Sequence, residues 1–230
     1  MIRTGGLTHV IDSGPDFRQQ MLRERVGALD GLVYTHEHKD HIAGMDDIRA
    51  FNFRQQRDMP LYATDAVRAA LEREFHYVFS ADNYPGIPKV DVRRIDERPF
   101  KLGEAIWWPL PVMHRKMPVL GFRVGGVAYI TDANRLDPLT WERLQGADVL
   151  ILNALRREKH VSHFTLDEAM EIADRLGANQ TYFTHISHQL GLHESVCREL
   201  PEGVQLAHDG LVIASEGPSY EGEPEPEAAW

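Results

Sequence analysis

The sequence predicts an α/β fold with mixed sheets, because short β-branched runs alternate with amphipathic segments along nearly the whole chain. Several of those runs end in a histidine or an aspartate, as strands do where they feed a functional loop. ADVLILNAL (147–155) is continuously apolar and reads as a central strand buried on both faces.

The elements follow in chain order. THVID (8–12) and GLVYTH (31–36) are short strands, each closing on a polar cluster. GMDDIRAFNFRQQ (44–56) predicts a helix, with Ile48, Phe51 and Asn52 on adjoining turns. MPLYAT (59–64) predicts a buried strand, and DAVRAALEREF (65–75) a helix with Val67, Ala70, Leu71 and Phe75 at helical spacing. HYVFSADNYPGIPKV (76–90) carries Pro85, Gly86 and Pro88 and predicts a surface loop. IWWPLPV (106–112) and the two runs within 119–131 predict strands, the last two joined by a Gly125-Gly126 hairpin turn. TLDEAMEIADRL (165–176) opens with the capping-box pair Thr165 and Glu168 and stops at Gly177. QTYFTH (180–185) predicts another strand. The acidic, Pro/Gly-rich segment 216–230 predicts a disordered tail, leaving 1–215 as one folded domain.

At 230 residues and 43% hydrophobic content, the chain suits one well-packed domain, or at most two small ones. No apolar run approaches the roughly 18 residues that cross a membrane, and MIRTGGLTHV lacks the apolar stretch of a signal peptide. The single cysteine, Cys197, excludes an internal disulfide framework and fits a reducing cytoplasm. A net charge of -10 argues against a broad basic face for long nucleic acids. A small anionic substrate remains compatible, since a metal site supplies local positive charge.

The 12 histidines matter through their clustering. In THEHKDH (35–41), His36 and His38 lie two residues apart on one side of an extended segment, so they can grip one ion together. Asp40 and His41 follow at the turn into the next helix and can serve a second ion. Imidazole with carboxylate suits zinc, manganese or iron. Further candidates stand at the ends of other strands: His114 after IWWPLPV, Asp132 in ITDAN, and His185 in THISH.

This pattern resembles the metallo-β-lactamase superfamily over nearly the whole chain. The resemblance implies the family's αββα sandwich and a binuclear centre of two divalent ions. It implies that His36, His38 and His114 hold one ion, that Asp40, His41 and His185 hold the other, and that Asp132 bridges both. Asp12, in VIDSG, matches the aspartate that orients the metal loop from behind the ligands. β-Lactamases of this fold replace one ligand with cysteine, and Cys197 lies far from any ligand phrase. Glyoxalase II adds a helical domain, for which too few residues follow His185.

The phrases FTHISH and VSHFTLDEA resemble the phosphodiesterase branch, home of ribonuclease Z and the phosphoribosyl cyclic phosphate phosphodiesterases. There, a histidine in the position of His163 is the candidate proton donor, which with Asp40 forms the expected catalytic pair. Ribonuclease Z inserts a tRNA-gripping arm, in many members between the ligands matching His114 and Asp132. Here a hairpin fills that interval, which points away from tRNA and toward a small, cyclic phosphodiester. His188 and Arg156 are candidate phosphate contacts; His160, His193 and His208 receive no role. The expected chemistry is in-line attack on phosphate by a hydroxide shared between the two metals. A lactone or thioester hydrolase, or a non-catalytic metal-binding module, are the alternatives.

One departure from the branch stands out. Its members carry a glycine-rich segment, often with cysteines, ahead of the strand matching VIDSG, whereas Met1 lies only a few residues before it. A bare sheet edge is therefore expected there, open to pairing with a second copy as a homodimer.

Overall fold

The computed structural model describes residues 1–80, 85–215, 220 and 222, so most of the expected tail over 216–230 lies outside the described residues. The chain divides into two compact units, Met1–Asp96 and Glu97–Trp230, each with its own sheet and core.

The first unit carries a five-stranded sheet in the order β1-β2-β3-β4-β5: Ile2–Thr4, Leu7–Ile11, Gly31–Val33, Met59–Ala63 and Val90–Arg94. β1 is antiparallel to β2, and the others run parallel. Parallel neighbours require crossovers. These are α1 (Phe17–Arg23) after β2, α2 (Lys39–Ile42) and α3 (Arg49–Gln55) after β3, and α4 (Asp65–Glu74) and α5 (His76–Phe79) after β4. Phe17, Ile48, Leu61, Val67 and Leu71 form the centre of one buried cluster, which ties these helices to the sheet.

Three expectations change in this unit. The edge expected to be bare beside THVID is paired by β1, through a Gly5-Gly6 turn at φ 55° and 78°. Such a left-handed pair is the tight-hairpin conformation that glycine enters without strain. The single helix expected over 44–56 is a 3-10 turn, Met45–Ile48, followed by α3. The cause is a close approach at Gly44, whose N–H donates to Ser13 O at 2.8 Å. The surface loop expected over 76–90 begins instead as α5, because Val78 is drawn into the buried cluster.

The second unit carries an eight-stranded sheet. Its strands are β6 (Phe100–Leu102), β7 (Ala105–His114), β8 (Met117–Val124), β9 (Val127–Ile130), β10 (Arg135–Leu136), β11 (Val149–Asn153), β12 (Gln180–Thr184) and β13 (Val204–Leu206). The path runs β10-β7-β8-β9-β11-β12-β13, with β6 beside β7. β7, β8 and β9 form an antiparallel meander whose last turn is Gly125-Gly126, and β9, β11, β12 and β13 are parallel. β11 is flanked on both sides, which is where a continuously apolar strand belongs. The helices are α6 (Pro138–Leu144), α7 (Leu166–Leu176) and α8 (His193–Cys197). α7 starts on the expected capping box: Glu168 N donates to Thr165 Oγ1 at 3.1 Å, and Thr165 N to Glu168 Oε2 at 2.9 Å. It buries Leu166, Ala169, Ile172 and Ala173 along one stripe. Among the described residues, no helix is long and apolar enough to cross a membrane.

The close approach at Gly44 gives a direct test. A Cβ there would lie 2.3 Å from Gly14 O and 2.6 Å from Phe17 Cβ, although φ is an ordinary -88°. Gly44→Ala should therefore destabilise by about 1–3 kcal/mol through overpacking alone, read as a lower urea midpoint at unchanged slope. An unchanged midpoint would show that the turn under α2 yields without cost.

Candidate metal centre

In the first unit, the site begins where two parallel neighbours end together. Ile11 of β2 pairs with Val33 of β3, so Asp12 and Thr35 emerge side by side. Asp12 turns at φ 60°, a conformation aspartate tolerates better than most residues. Its Oδ1 accepts from Thr35 N at 2.8 Å, and its Oδ2 accepts from Thr35 Oγ1 at 2.8 Å and from His41 Nδ1 at 2.7 Å.

These bonds decide the histidine tautomers. A carboxylate only accepts, so His41 Nδ1 carries its proton and the lone pair sits on Nε2. The Thr35 hydroxyl has given its proton to Asp12, so at 2.9 Å it accepts from His36 Nδ1, and the His36 lone pair also sits on Nε2. Metal-ligating histidines are oriented in this way, by an acceptor on the far ring nitrogen. The His36 ring lies 4.7 Å from His38 and 4.1 Å from His41, centroid to centroid. His36 and His41 are buried, whereas His38 and Asp40 are exposed, and Asp40 Oδ2 stands 3.4 Å from His41 Nε2.

In the second unit, the parallel strands β9, β11 and β12 also end in step, which brings Asp132 and His185 together. His185 Nδ1 lies 3.2 Å from Asp132 Oδ1, and Thr131 Oγ1 donates to the same oxygen at 2.6 Å. Both residues are left-handed, at φ 55° and 54°. Asn153, at the end of β11, grips Ala133 from both sides: Ala133 N donates to Oδ1 and Nδ2 donates to Ala133 O, each at 2.9 Å. Phe164 N also donates to Ala133 O, at 2.8 Å, which carries the segment before α7 to the site.

That segment places His163 Nε2 3.3 Å from Asp132 Oδ2. The His163 ring stacks on His185 at 4.8 Å and meets His114 edge-on at 4.6 Å. One donor atom from each of His114, Asp132 and His163 falls within 4.8 Å of the other two. His114 Nδ1 donates to Ser162 O at 3.1 Å, so its lone pair too belongs to Nε2. His36 and His41 in the first unit, and His114 beside the buried Asp132 in the second, are donors of the type that suits zinc, manganese or iron.

The remaining expected residues sit less centrally. Arg156 spends its guanidinium on Glu158 O and Lys159 O of its own loop and on Gln189 Oε1 of the loop after β12, at 2.8–3.2 Å. His188 is exposed. The sequence assigns no role to Thr35, Asn153, Ser162 or His160, yet Thr35, Ser162 and His160 touch site residues and Asn153 holds the backbone of Ala133, next to Asp132. Burial, followed by the charges of His163 and Arg156, lowers the His160 pKa below the ordinary imidazole value.

Known proteins are similar to this chain. Residues 8–186 match the family described as the Beta-lactamase superfamily domain. The crystal structure of a diphosphatase from the PhnP family is similar over 94% of this chain and 83% of that one, at 40% identity and a TM-score of 0.86. An octanoyltransferase of Porphyromonas gingivalis is 33% identical over 213 residues, which is 92% of this chain but 43% of that protein. The chain thus spans less than half of that relative's length. A ribonuclease Z of Mycobacterium sp. (strain KMS) is 25% identical over 225 residues, 80% of this chain and 76% of that protein. The chain therefore belongs to the β-lactamase superfamily and has the metallo-β-lactamase fold, a fold that implies a divalent metal.

Proposed function

We propose that the protein is a metal-dependent phosphodiesterase acting on a small, cyclic phosphodiester. The observation that carries this is His163, a buried imidazole whose Nε2 stands beside Asp132. A histidine there can hand a proton to a departing alkoxide, which is a poor leaving group without one. A thiolate leaves without such help, so a proton donor is of most use where an oxygen departs. The 40% identity to a diphosphatase supports phosphoryl chemistry of this kind. The net charge of -10 fits a small anion better than tRNA.

The ligand set implied by the resemblance is His36, His38, Asp40, His41, His114, Asp132 and His185, sufficient for two ions of zinc, manganese or iron. When bound, such ions supply Lewis acidity at phosphoryl oxygens and lower the pKa of water toward neutrality. The chain's own residues do the rest. Asp12 and Thr35 hold two imidazoles in one tautomer, Asn153 fixes the backbone that follows Asp132, and His163 delivers the proton.

A second reading is favoured by the octanoyltransferase relative: hydrolysis of an octanoyl thioester on the same scaffold. A substrate panel separates the two. An aryl phosphodiester, a ribose cyclic phosphate, an inorganic diphosphate, a lactone and an octanoyl thioester would be compared by kcat/KM at equal metal loading. The phosphodiesters should lead; a thioester turned over as fast or faster would replace the phosphodiesterase reading.

The role of His163 has its own signature. His163→Ala should keep the metal content of the wild type and slow an alkyl phosphodiester by about 10²-fold or more, while a nitrophenyl ester slows little. Equal losses on both esters at full metal content would mean that the proton comes from elsewhere.

A further inference from the structure

We infer that His160 and Ser162 are positioning residues that lock the ring of His163 in one of its two flipped orientations. A half-turn of an imidazole about its Cβ–Cγ bond exchanges Nδ1 with Cδ2 and Nε2 with Cε1. Polar partners on either edge distinguish the two orientations, because a ring carbon holds no conventional hydrogen bond; Asp132, 3.3 Å from Nε2, is one, and the Nδ1 edge adds more. Two are present on that edge: Ser162 Oγ at 3.1 Å and His160 Nδ1 at 3.1 Å from His163 Nδ1.

The two partners are themselves held. Ser162 N and Oγ lie 3.4 and 3.3 Å from His160 Nδ1, and the His160 and His163 rings stand 5.0 Å apart. Arg156 braces the loop that carries His160, through the carbonyls of Glu158 and Lys159. Ser162 acts twice, since its carbonyl accepts from His114 Nδ1 while its hydroxyl meets His163. With its Nδ1 edge fastened, the His163 ring presents Nε2 to Asp132; once that edge is unfastened, the 3.3 Å contact with Asp132 alone opposes the turn that brings Cε1 there instead. This assignment rests on the proposed role of His163 as proton donor, but the orientation of the ring is measurable without any substrate.

The test uses the zinc-loaded protein with 15N-labelled histidine, in wild type and in the variants His160→Phe, His160→Asn and Ser162→Ala. Ser162→Ala keeps the carbonyl that holds His114 and removes only the hydroxyl. His160→Phe keeps a ring and removes its nitrogens, and His160→Asn returns one polar atom. In wild type, the His163 ring should give a single set of long-range 1H–15N correlations. Those correlations should shift or split in His160→Phe and in Ser162→Ala, and return toward wild type in His160→Asn. Metal content should stay that of the wild type throughout. In turnover, His160→Phe should lose about ten-fold more on an alkyl phosphodiester than on an aryl one. Unchanged His163 correlations in both His160→Phe and Ser162→Ala would overturn the positioning role, whatever the turnover. If wild type cleaves no phosphodiester, the proposed function falls, and the ring correlations still decide the role of His160 and Ser162.

Discussion

The carboxylate of Asp12 is the interaction on which the candidate ligands of the first unit depend. It accepts from Thr35 N, Thr35 Oγ1 and His41 Nδ1 at 2.7–2.8 Å, and through the Thr35 hydroxyl it also fixes His36. An acceptor with no proton to give forces every partner to be a donor. Two histidines therefore present Nε2 without any rearrangement when a ligand arrives, which is how an oriented ligand differs from a polar loop. The surroundings of Asp12 keep it in place: Ser13 N donates to His41 O at 2.8 Å, and the glycine at 44 lets the Ser13–Gly14 turn press against α2.

The same device recurs at the other strand ends. Asp12, Asp132 and His185 each leave a strand through a left-handed turn, at φ 60°, 55° and 54°. Such turns cost on the order of 1 kcal/mol or more for residues other than glycine, and persist where surrounding bonds over-determine them. The Asn153 clamp on Ala133 and the Thr131 bond to Asp132 do that work at one end, and the Thr35 bonds do it at the other. A left-handed turn swings the side chain off the strand direction, so residues on neighbouring parallel strands converge on each other.

Much of this was legible in the sequence, for reasons that are local. His36 and His38 alternate along an extended segment, and their rings meet at 4.7 Å as that spacing requires. The capping box at Thr165 and the hairpin at Gly125-Gly126 are written in adjacent residues. Glycines at 5 and 6 carry the same two-residue hairpin signal, but the run before them is three residues long and gives no periodicity, so β1 went unread. The break at Gly44 was illegible because it is caused by contact with Gly14 and Phe17, some thirty residues earlier in the chain. Asn153, Ser162 and His160 were illegible for the same reason: an asparagine at the end of a strand, or a loop serine or histidine, acquires its role only from the partner that tertiary structure brings to it.

The most direct test is the zinc affinity of Asp12→Asn, by competition with a chromophoric chelator. Asparagine tolerates the same left-handed turn, so the backbone should stand. With Oδ1 retained toward Thr35 N, the amide nitrogen takes the place of Oδ2 and becomes a donor. His41 must then accept at Nδ1 and move its proton to Nε2, and the Thr35 hydroxyl, turned toward His36, does the same to that ring. The account predicts a folded protein whose zinc Kd is weaker by about 10–100-fold. An unchanged affinity in folded Asp12→Asn would contradict it, because the ligands would then be oriented by something other than the Asp12 carboxylate.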